Sequence, residues 1–453
     1  MTFENMKDVL LHESATLRDA MSKLKASGAG IVVVTDDDGC AIGVLSDGDI
    51  RTAVLATENL DTSVSKHMTQ DFVWVTEGAS KESVLKLFDR RIRTIPILDS
   101  HRRPIDLAVP GYMAPIGETI SRARAPVRLS LAGGGTDFTH HFLKHGGNSL
   151  STTMARYCRA TLRKREDSGI RIHSRDLGCS VQLDRFDDIE YDGNLDLIKA
   201  AIKVLRPTHG FDLEISSDVQ PGTGLGGSAA ILAAVIGCFS EFREDYLDDY
   251  TIAEYAYEAE RVELEIAGGW QDQYSTVFGG FNFIDFNAEN NIVTPLRITT
   301  RTRLELEERF LLCYTGNGHM AATIQDANRD RAGDDPSMVN FAERIKPIAI
   351  KMRMALLKGH LDDLGTMLHE TWNLKKHFNP GGTSSYLDEI YDTGMKAGAD
   401  GGRLLGTGGG GYFLFFCKPY RRGDVVEALE RKGHVTENVL LDQDGLQTWT
   451  TQG

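Results

Sequence analysis

Residues 221–230 read PGTGLGGSAA and run without a break into the apolar stretch Ile231, Leu232, Ala233, Ala234, Val235 and Ile236. Four glycines, Gly222, Gly224, Gly226 and Gly227, let the backbone approach a ligand with no Cβ in the way. The apolar stretch predicts a helix, whose first N–H groups and positive dipole end would face an anion. A glycine loop feeding a helix therefore fixes the local fold and points to phosphate. It is not a Walker loop, because Ser228 stands after Gly227 where G-x-x-x-x-G-K-[ST] would require Lys. A tight turn with close helix packing is the other reading of the same residues.

The chain has 453 residues, 41% apolar and 25% charged, enough for two or three soluble domains. A formal charge of −15 repels a polyanion, so no nucleic-acid partner is expected. The N-terminal MTFENMKDVL has no basic stretch followed by an apolar one, and the best apolar run, Ala229 to Phe239, is too short to span a bilayer. No membrane association is expected, and the location is expected to be cytoplasmic. Cys40, Cys158, Cys179, Cys238, Cys313 and Cys417 form no C-x-x-C pair and no ligand-like spacing with His, so buried thiols are expected.

The first hundred residues carry an imperfect repeat of helix, β-branched strand, turn and strand. In the first copy a helix over Leu17 to Ala26 turns Leu17, Met21 and Leu24 inward, and strands follow at Ile31 to Val34 and Ala41 to Leu45. The second copy has a helix over Ser80 to Arg90 with Val84, Leu87 and Phe88 inward, then a strand at Ile95 to Leu98 and a turn at Asp99 to Arg103. Neither unit could bury its sheet alone, so the two should pair. The stretch resembles a tandem CBS module, most specifically in GVLSDGDIR, Gly43 to Arg51. The resemblance implies that Ser46, Asp47 and Asp49 hold the ribose and phosphate of an adenine nucleotide. The second copy ends RPIDLAV and lacks that segment, so at most one site is implied. The effector would be an adenine nucleotide or a nucleotide-sugar; a structural or dimerising module, and with it a homodimer, is the alternative.

Pro104 to Gly117 is rich in proline and glycine and reads as a linker, which divides the chain into a CBS-type pair at 1–108, a linker at 109–118 and a second domain at 119–453. Beyond it, Ser121 to Ala132 alternates as a strand and Tyr250 to Ile266 reads as a helix with Ile252, Tyr255, Ala256, Ala259, Val262 and Ile266 inward. Phe278 to Phe286 and Tyr412 to Cys417 read as buried strands, and Met338 to Leu357 and Leu361 to Lys376 as helices.

Three glycine-bearing segments occur in order: ARAPVRLSLAGGGTDF (Ala123 to Phe138), PGTGLGGSAA, and LLGTGGGGYFLFF (Leu404 to Phe416). Together they resemble the three motifs of the GHMP small-molecule kinases over residues 120–450. GGWQDQYSTVFGGFNFIDF (Gly268 to Phe286), GGNSLSTTM and HETWNLKK (His369 to Lys376) are similar to the branch that phosphorylates D-glycero-D-manno-heptose 7-phosphate at its anomeric hydroxyl. The implied fold is α+β, two mixed α/β subdomains behind the CBS pair, with ATP and Mg²⁺ as cofactors and a sugar phosphate as substrate.

By that resemblance Pro221, Gly222, Thr223, Gly224, Leu225, Gly226, Gly227 and Ser228 cradle the nucleotide. Ser228 and Glu260 hold the metal, with Glu258, Glu263 and Glu265 as competitors or a solvated acidic face. Asp272 is the carboxylate that draws off the hydroxyl proton, with helix capping as its alternative, and Arg128 pairs with it. Gly134, Gly135, Thr136 and Asp137, together with Gly408, Gly409 and Gly410, are implied to bind the sugar; Asp137 as a helix cap and a buried turn at 408–411 are the alternatives. Ser151, Thr152 and Thr153 are further candidates for that pocket, or packing residues of a strand. One departure concerns the acceptor: YTGNGHMAAT carries Asn317, Gly318 and His319 where relatives tend to carry Arg, so the acceptor lacks a phosphate there or is gripped by Lys375, Lys376 or His319. The rival functions are a kinase of an unphosphorylated hexose or deoxyhexose, of galactokinase or fucokinase type, and a non-catalytic nucleotide-sensing regulator.

Overall fold

The computed structural model describes residues 6–57, 59–89, 92–110, 119–316, 335–378 and 380–452. They form two compact units that divide between Thr119 and Ile120. Of the linker expected at 109–118, residues 111–118 lie outside the described residues, as do Asn317, Gly318 and His319.

The first unit is a repeat in three dimensions as well. Its first copy holds β1 (Leu10–His12), α1 (Leu17–Ser27), β2 (Ile31–Thr35), β3 (Ala41–Ser46) and α2 (Asp47–Thr57). The second holds β4 (Val75–Thr76), α3 (Lys81–Asp89), β5 (Ile95–Leu98) and β6 (Pro104–Ala108). Each three-stranded sheet pairs its first two strands parallel and its last two antiparallel. Helix α1 starts at a capping box, in which Thr16 Oγ1 accepts from Asp19 N and Asp19 accepts from Thr16 N, and stops at Gly28 with φ 65°. Leu17 and Ala20 fill its inner face, whereas Met21 is 45% exposed, one position off the expected stripe. The copies share a core: Val33 and Ala41 from one pack with Leu98 and Leu107 from the other, which is how two half-buried sheets become stable.

In the second unit, β7 (Thr119–Ala132) runs to α4 (Thr139–His145), and β8 (Gly147–Lys164) follows as the centre of a nine-stranded sheet. Strands β9 (Ile170–Ser174), β10 (Cys179–Leu183) and, after α5 (Asp196–Leu205), β11 (Phe211–Ser217) extend it on one side. Helix α6 (Gly227–Ser240) packs on β8 and is buried from Ala229 to Phe239 except at Ile231. Then come α7 (Asp249–Tyr257), α8 (Gln271–Phe278), β12 (Asn282–Phe286), β13 (Ile292–Pro295), α9 (Thr300–Arg309) and β14 (Phe310–Tyr314). The last stretch holds α10 (Pro336–Lys358), α11 (Leu364–Phe378), α12 (Ser385–Ala397), β15 (Ala399–Leu404), β16 (Tyr412–Cys417), α13 (Arg422–Glu430), β17 (Val435–Asn438), β18 (Leu441–Asp442) and β19 (Gln447–Gln452). Strands β15, β16, β14 and β17 make a second, four-stranded antiparallel sheet.

Two expectations fail for identifiable reasons. After Tyr257 the helix becomes a π-helical turn, Glu258–Glu263, and the wider turn shifts the phase of the apolar stripe. Val262 and Ile266 end up 63% and 41% exposed, and Glu260 turns inward instead. Phe278 closes α8, and the strand begins only at Asn282, after the turn through Gly279 and Gly280, both at positive φ. Among the described residues no helix is long and apolar enough to cross a membrane. All six cysteines are free; Cys40 and Cys179 are half-buried and the other four buried.

Candidate active site

Gly222, Gly224 and Gly226 take φ values of 76°, 79° and 74°, a left-handed alternation that coils the loop into the N-terminus of α6. A Cβ on Gly224 would lie 2.7 Å from the Leu405 carbonyl oxygen, and one on Gly411 would lie 2.4 Å from that of Thr223. The second and third glycine segments thus touch backbone to backbone, a contact no other residue type permits. Beneath them lies a cavity of about 460 Å³, and every residue from Pro221 to Ser228 except the fully buried Leu225 lines it.

Arg128, on β7, and Asp272, in the first turn of α8, line the same cavity. Arg128 Nε and Nη2 donate to Asp272 Oδ1 and Oδ2, both at 2.8 Å, and Nη1 donates to the Gly224 carbonyl. Arg128 therefore ties the first glycine segment's strand to the loop and to the carboxylate in one fork. Asp272 does not cap α8; the residue at the capping position is Trp270, whose side chain makes no capping bond.

Asp137 is 2% exposed and also lines the cavity. Its Oδ1 accepts from Gly135 N at 2.9 Å and its Oδ2 from Gln271 N at 3.1 Å, so it joins the first segment to the start of α8. Burial, and then the neighbouring Asp272 charge, push its carboxyl above the usual aspartate range against those two bonds. It does not cap α4, whose capping position is Phe138. Gly134 and Gly135 line the cavity beside it. Thr136 does not: it is fully buried, its hydroxyl accepting from Asn148 N and sharing its proton between the Gly133 and Asn148 carbonyls.

Ser228 and Glu260 are not brought together on the cavity wall. Ser228 lines it; Glu260 is 3% exposed behind it, its Oε2 accepting from Gln273 Nε2 at 2.8 Å and lying 3.2 Å from Arg261 Nη2. Magnesium seeks hard oxygen donors and retains waters and phosphate oxygens, so a single protein hydroxyl fits it. Glu260, already neutralised by Arg261, does not fit as a ligand in this arrangement. Glu258, Glu263 and Glu265 are exposed.

The third segment also differs from expectation. Gly408, Gly409 and Gly410 are not among the lining residues; Gly409 N donates to the Gly382 carbonyl at 3.0 Å, and a Cβ on Gly408 would meet Gly382 Cα at 2.8 Å. The residues just before them, Gly406 and Thr407, line the cavity instead. Ser151 bonds Ser275, and Thr153 accepts from Gly280 N; Ser151, Thr152 and Thr153 all lie off the cavity. Sequence reasoning missed Arg403, 2% exposed on β15, and the apolar half of the wall, including Leu177, Leu195, Ile198, Ile215 and Val219. One local signal marks that half afterwards: Leu195, just before α5, sits at φ 55°, a strained value for leucine.

In the first unit a cleft of about 830 Å³ is lined by Gly28 to Ile31, Val44, Ser46, Asp71 to Val73 and Thr94. Of the residues implied to hold a nucleotide only Ser46 lines it. Asp49 is committed to a capping box for α2, accepting from Ser46 N at 2.8 Å while Ser46 Oγ accepts from Asp49 N at 3.2 Å. Asp47 is exposed and pairs with Arg51.

Comparison with known proteins gives this geometry a context. Residues 196–280 match the N-terminal domain and residues 352–435 the C-terminal domain of GHMP kinases, and residues 6–56 and 64–107 match the CBS domain. The chain is 35% identical over 334 residues to D-glycero-alpha-D-manno-heptose 7-phosphate kinase of Campylobacter jejuni, covering 72% of this chain and 98% of that one. A crystal structure of a D-glycero-D-manno-heptose 1-phosphate kinase from Bacteroides thetaiotaomicron superposes with a TM-score of 0.62 at 30% identity, covering 74% of this chain and all of that one. Lactococcus lactis galactokinase, at 17% identity and a TM-score of 0.58 over 74% of this chain and 95% of its own, shares the fold alone. A glycine loop, an Arg–Asp fork and a third glycine segment meeting at one cavity agree with these matches: the chain belongs to the GHMP kinases and carries a tandem CBS module ahead of the kinase fold.

Proposed function

We propose that this chain is an ATP-dependent sugar kinase that phosphorylates the anomeric hydroxyl of D-glycero-D-manno-heptose 7-phosphate. The 1,7-bisphosphate formed would feed nucleotide-activated heptose for surface polysaccharide, and the reaction would run in the cytoplasm. The observation that carries the reading is the Arg128–Asp272 fork on the wall of the cavity that the glycine loop also lines. A relative named for that substrate, matched over 98% of its length, supports the choice of acceptor.

Each oxygen of Asp272 accepts one bond from Arg128 and keeps a lone pair for the sugar hydroxyl, whose proton it takes as the new O–P bond forms and the bond from the terminal phosphoryl to the departing ADP breaks. The anomeric hydroxyl is more acidic than an ordinary alcohol because the ring oxygen withdraws electron density, so a carboxylate suffices as base. Arg128 fixes the carboxylate and sets a positive charge beside the reacting phosphoryl. Asp137 grips vicinal hydroxyls of the sugar. The loop at 222–228 holds the nucleotide phosphates through its N–H groups, and the apolar half of the cavity receives the adenine. Ser228 would hold Mg²⁺, whose charge would offset that of the nucleotide phosphates. The cleft of the first unit is the effector site for an adenine nucleotide or nucleotide-sugar, with Ser46 on its wall.

The test is ADP release by the full-length protein with MgATP over heptose 7-phosphate, free heptose, galactose and fucose, with ³¹P NMR of the product. Turnover with heptose 7-phosphate and a new resonance coupled to the anomeric proton is the expected result. Turnover confined to unphosphorylated sugars would assign the rival kinase, and none with any sugar would leave a regulatory protein. Calorimetry with AMP, ADP, ATP and a GDP-sugar on the same protein tests the cleft; heat from none of them would make the CBS pair structural.

A further inference from the structure

Two cations on the cavity wall have no part in the reaction described above. Arg403 is 2% exposed; its Nη1 donates to the Leu131 carbonyl at 2.9 Å, and its buried Nε has no partner. Lys375, on α11, donates to the Gly406 carbonyl and lies 3.4 Å from that of Leu404. Among the described residues neither has a carboxylate partner, although Arg128 nearby is matched by Asp272. The next lysine serves elsewhere: Lys376 pairs with Asp388 at 3.4 Å and does not line the cavity.

Such a cluster opposes itself. Burial, then the charges of Arg403 and Arg128, hold the Lys375 ammonium well below the usual lysine range; burial and Arg128 bring Arg403 down to about 10. Uncompensated cations of this kind persist in folded proteins where an anion completes them. The guanidinium offers a planar donor fork and the ammonium a compact point charge, a combination suited to the several oxygens of a phosphate dianion.

We propose that Lys375 and Arg403 form a phosphate subsite, distinct from the glycine loop, that seats a phosphate group carried by a substrate in this cavity. The inference rests on the kinase reading given above. Two substrates carry that chemistry: the acceptor sugar with its own phosphate, and the nucleotide through its terminal phosphoryl. The glycine loop and the α6 N-terminus already serve the nucleotide, so the extra cations favour the acceptor's phosphate. They would replace the Arg expected after the YTG segment.

The experiment compares Lys375→Met and Arg403→Met with the parent full-length protein. The KM for heptose 7-phosphate should rise at least about tenfold, the loss of one charge-assisted contact. A rise in the KM for MgATP alone would assign the subsite to the nucleotide's phosphoryl and keep the proposal. No change in either KM in either variant overturns it. Calorimetric titration with inorganic phosphate separates this from the kinase reading, because it needs no turnover. Weakening of at least about tenfold in both variants supports the subsite even if no sugar is phosphorylated, and equal affinity overturns it. Where a methionine variant does not fold, Lys375→Gln or Arg403→Gln takes its place in the same phosphate titration: binding at least about tenfold weaker than the parent supports the subsite, and equal affinity overturns it.

Discussion

Gly269→Ala probes the contribution of Asp137 without replacing a charged side chain. A Cβ on Gly269 would lie 2.0 Å from Asp137 Oδ2 and 2.2 Å from its Cγ. Non-bonded heavy atoms rest at about 3.5 Å, so the carboxylate must retreat by roughly 1.5 Å. Retreat breaks its bonds from Gly135 N and Gln271 N, at 2.9 and 3.1 Å. Bonds to a charged acceptor contribute about 1.5–3 kcal/mol each, but a carboxylate pushed into the cavity regains water. The net loss of stability should therefore sit near the value of one bond, about 2 kcal/mol. The sugar loses its grip by a similar amount, which is a rise of about 30-fold in its KM. The nucleotide loop is untouched, so the KM for MgATP should stay within about twofold. Steady-state kinetics with each substrate varied, together with urea unfolding, reads all three quantities. An unchanged sugar KM in a folded variant would refute the assignment of Asp137 to the sugar.

Other perturbations have equally definite outcomes. Arg128→Met strands a carboxylate that is mostly buried, its side chain 16% exposed, and should destabilise the kinase unit by about 3 kcal/mol; the double variant with Asp272→Asn should lose clearly less than the sum of the singles, and strict additivity would contradict a coupled pair. His141 is fully buried with neither ring nitrogen bonded, and burial, then His145 and Lys346, hold it at about 4 against Glu343, from an ordinary 6.5. Because the folded protein binds fewer protons than the unfolded one in that window, its stability falls as pH drops from 6.5 to 4, by roughly 3 kcal/mol; His141→Leu should flatten that slope in urea titrations at each pH. Ser228→Ala should raise the Mg²⁺ concentration needed for half-maximal turnover, whereas Glu260→Gln should leave it unchanged and lower stability through the loss of the Arg261 pair. A shift of metal dependence in Glu260→Gln would show that the carboxylate leaves Arg261 for the metal.

What the sequence makes legible is what short spacing encodes. The glycine alternation at 222, 224 and 226 and the apolar run after it locate the loop and α6, and the repeat of helix and β-branched strand locates both copies of the first unit. Resemblance supplies the pairing of Arg128 with Asp272 across 144 positions, which no local pattern could. Two of the failures come from contacts set by packing of distant segments. Arg403 reaches the Leu131 carbonyl 272 residues away, and nothing around it in sequence separates it from a surface arginine. Gly408 to Gly410 read as ligand-facing because they are glycines, yet their backbone serves Gly382. The π-helical turn at Glu258–Glu263 leaves no signature in a 3.6-residue pattern, and it leaves Val262 and Ile266 exposed where the pattern turns them inward.

The central claim is that Asp272 receives the proton of the sugar hydroxyl, and Asp272→Asn tests it most directly. The amide keeps the shape of the side chain and its oxygen can still accept one of the two bonds from Arg128, but it cannot take up a proton. Turnover with heptose 7-phosphate should fall by a factor of at least about 10²–10⁴, the range of general-base catalysis, while calorimetry shows MgATP bound within about threefold of the parent affinity. Turnover within a few-fold of the parent, with binding intact, would contradict the account.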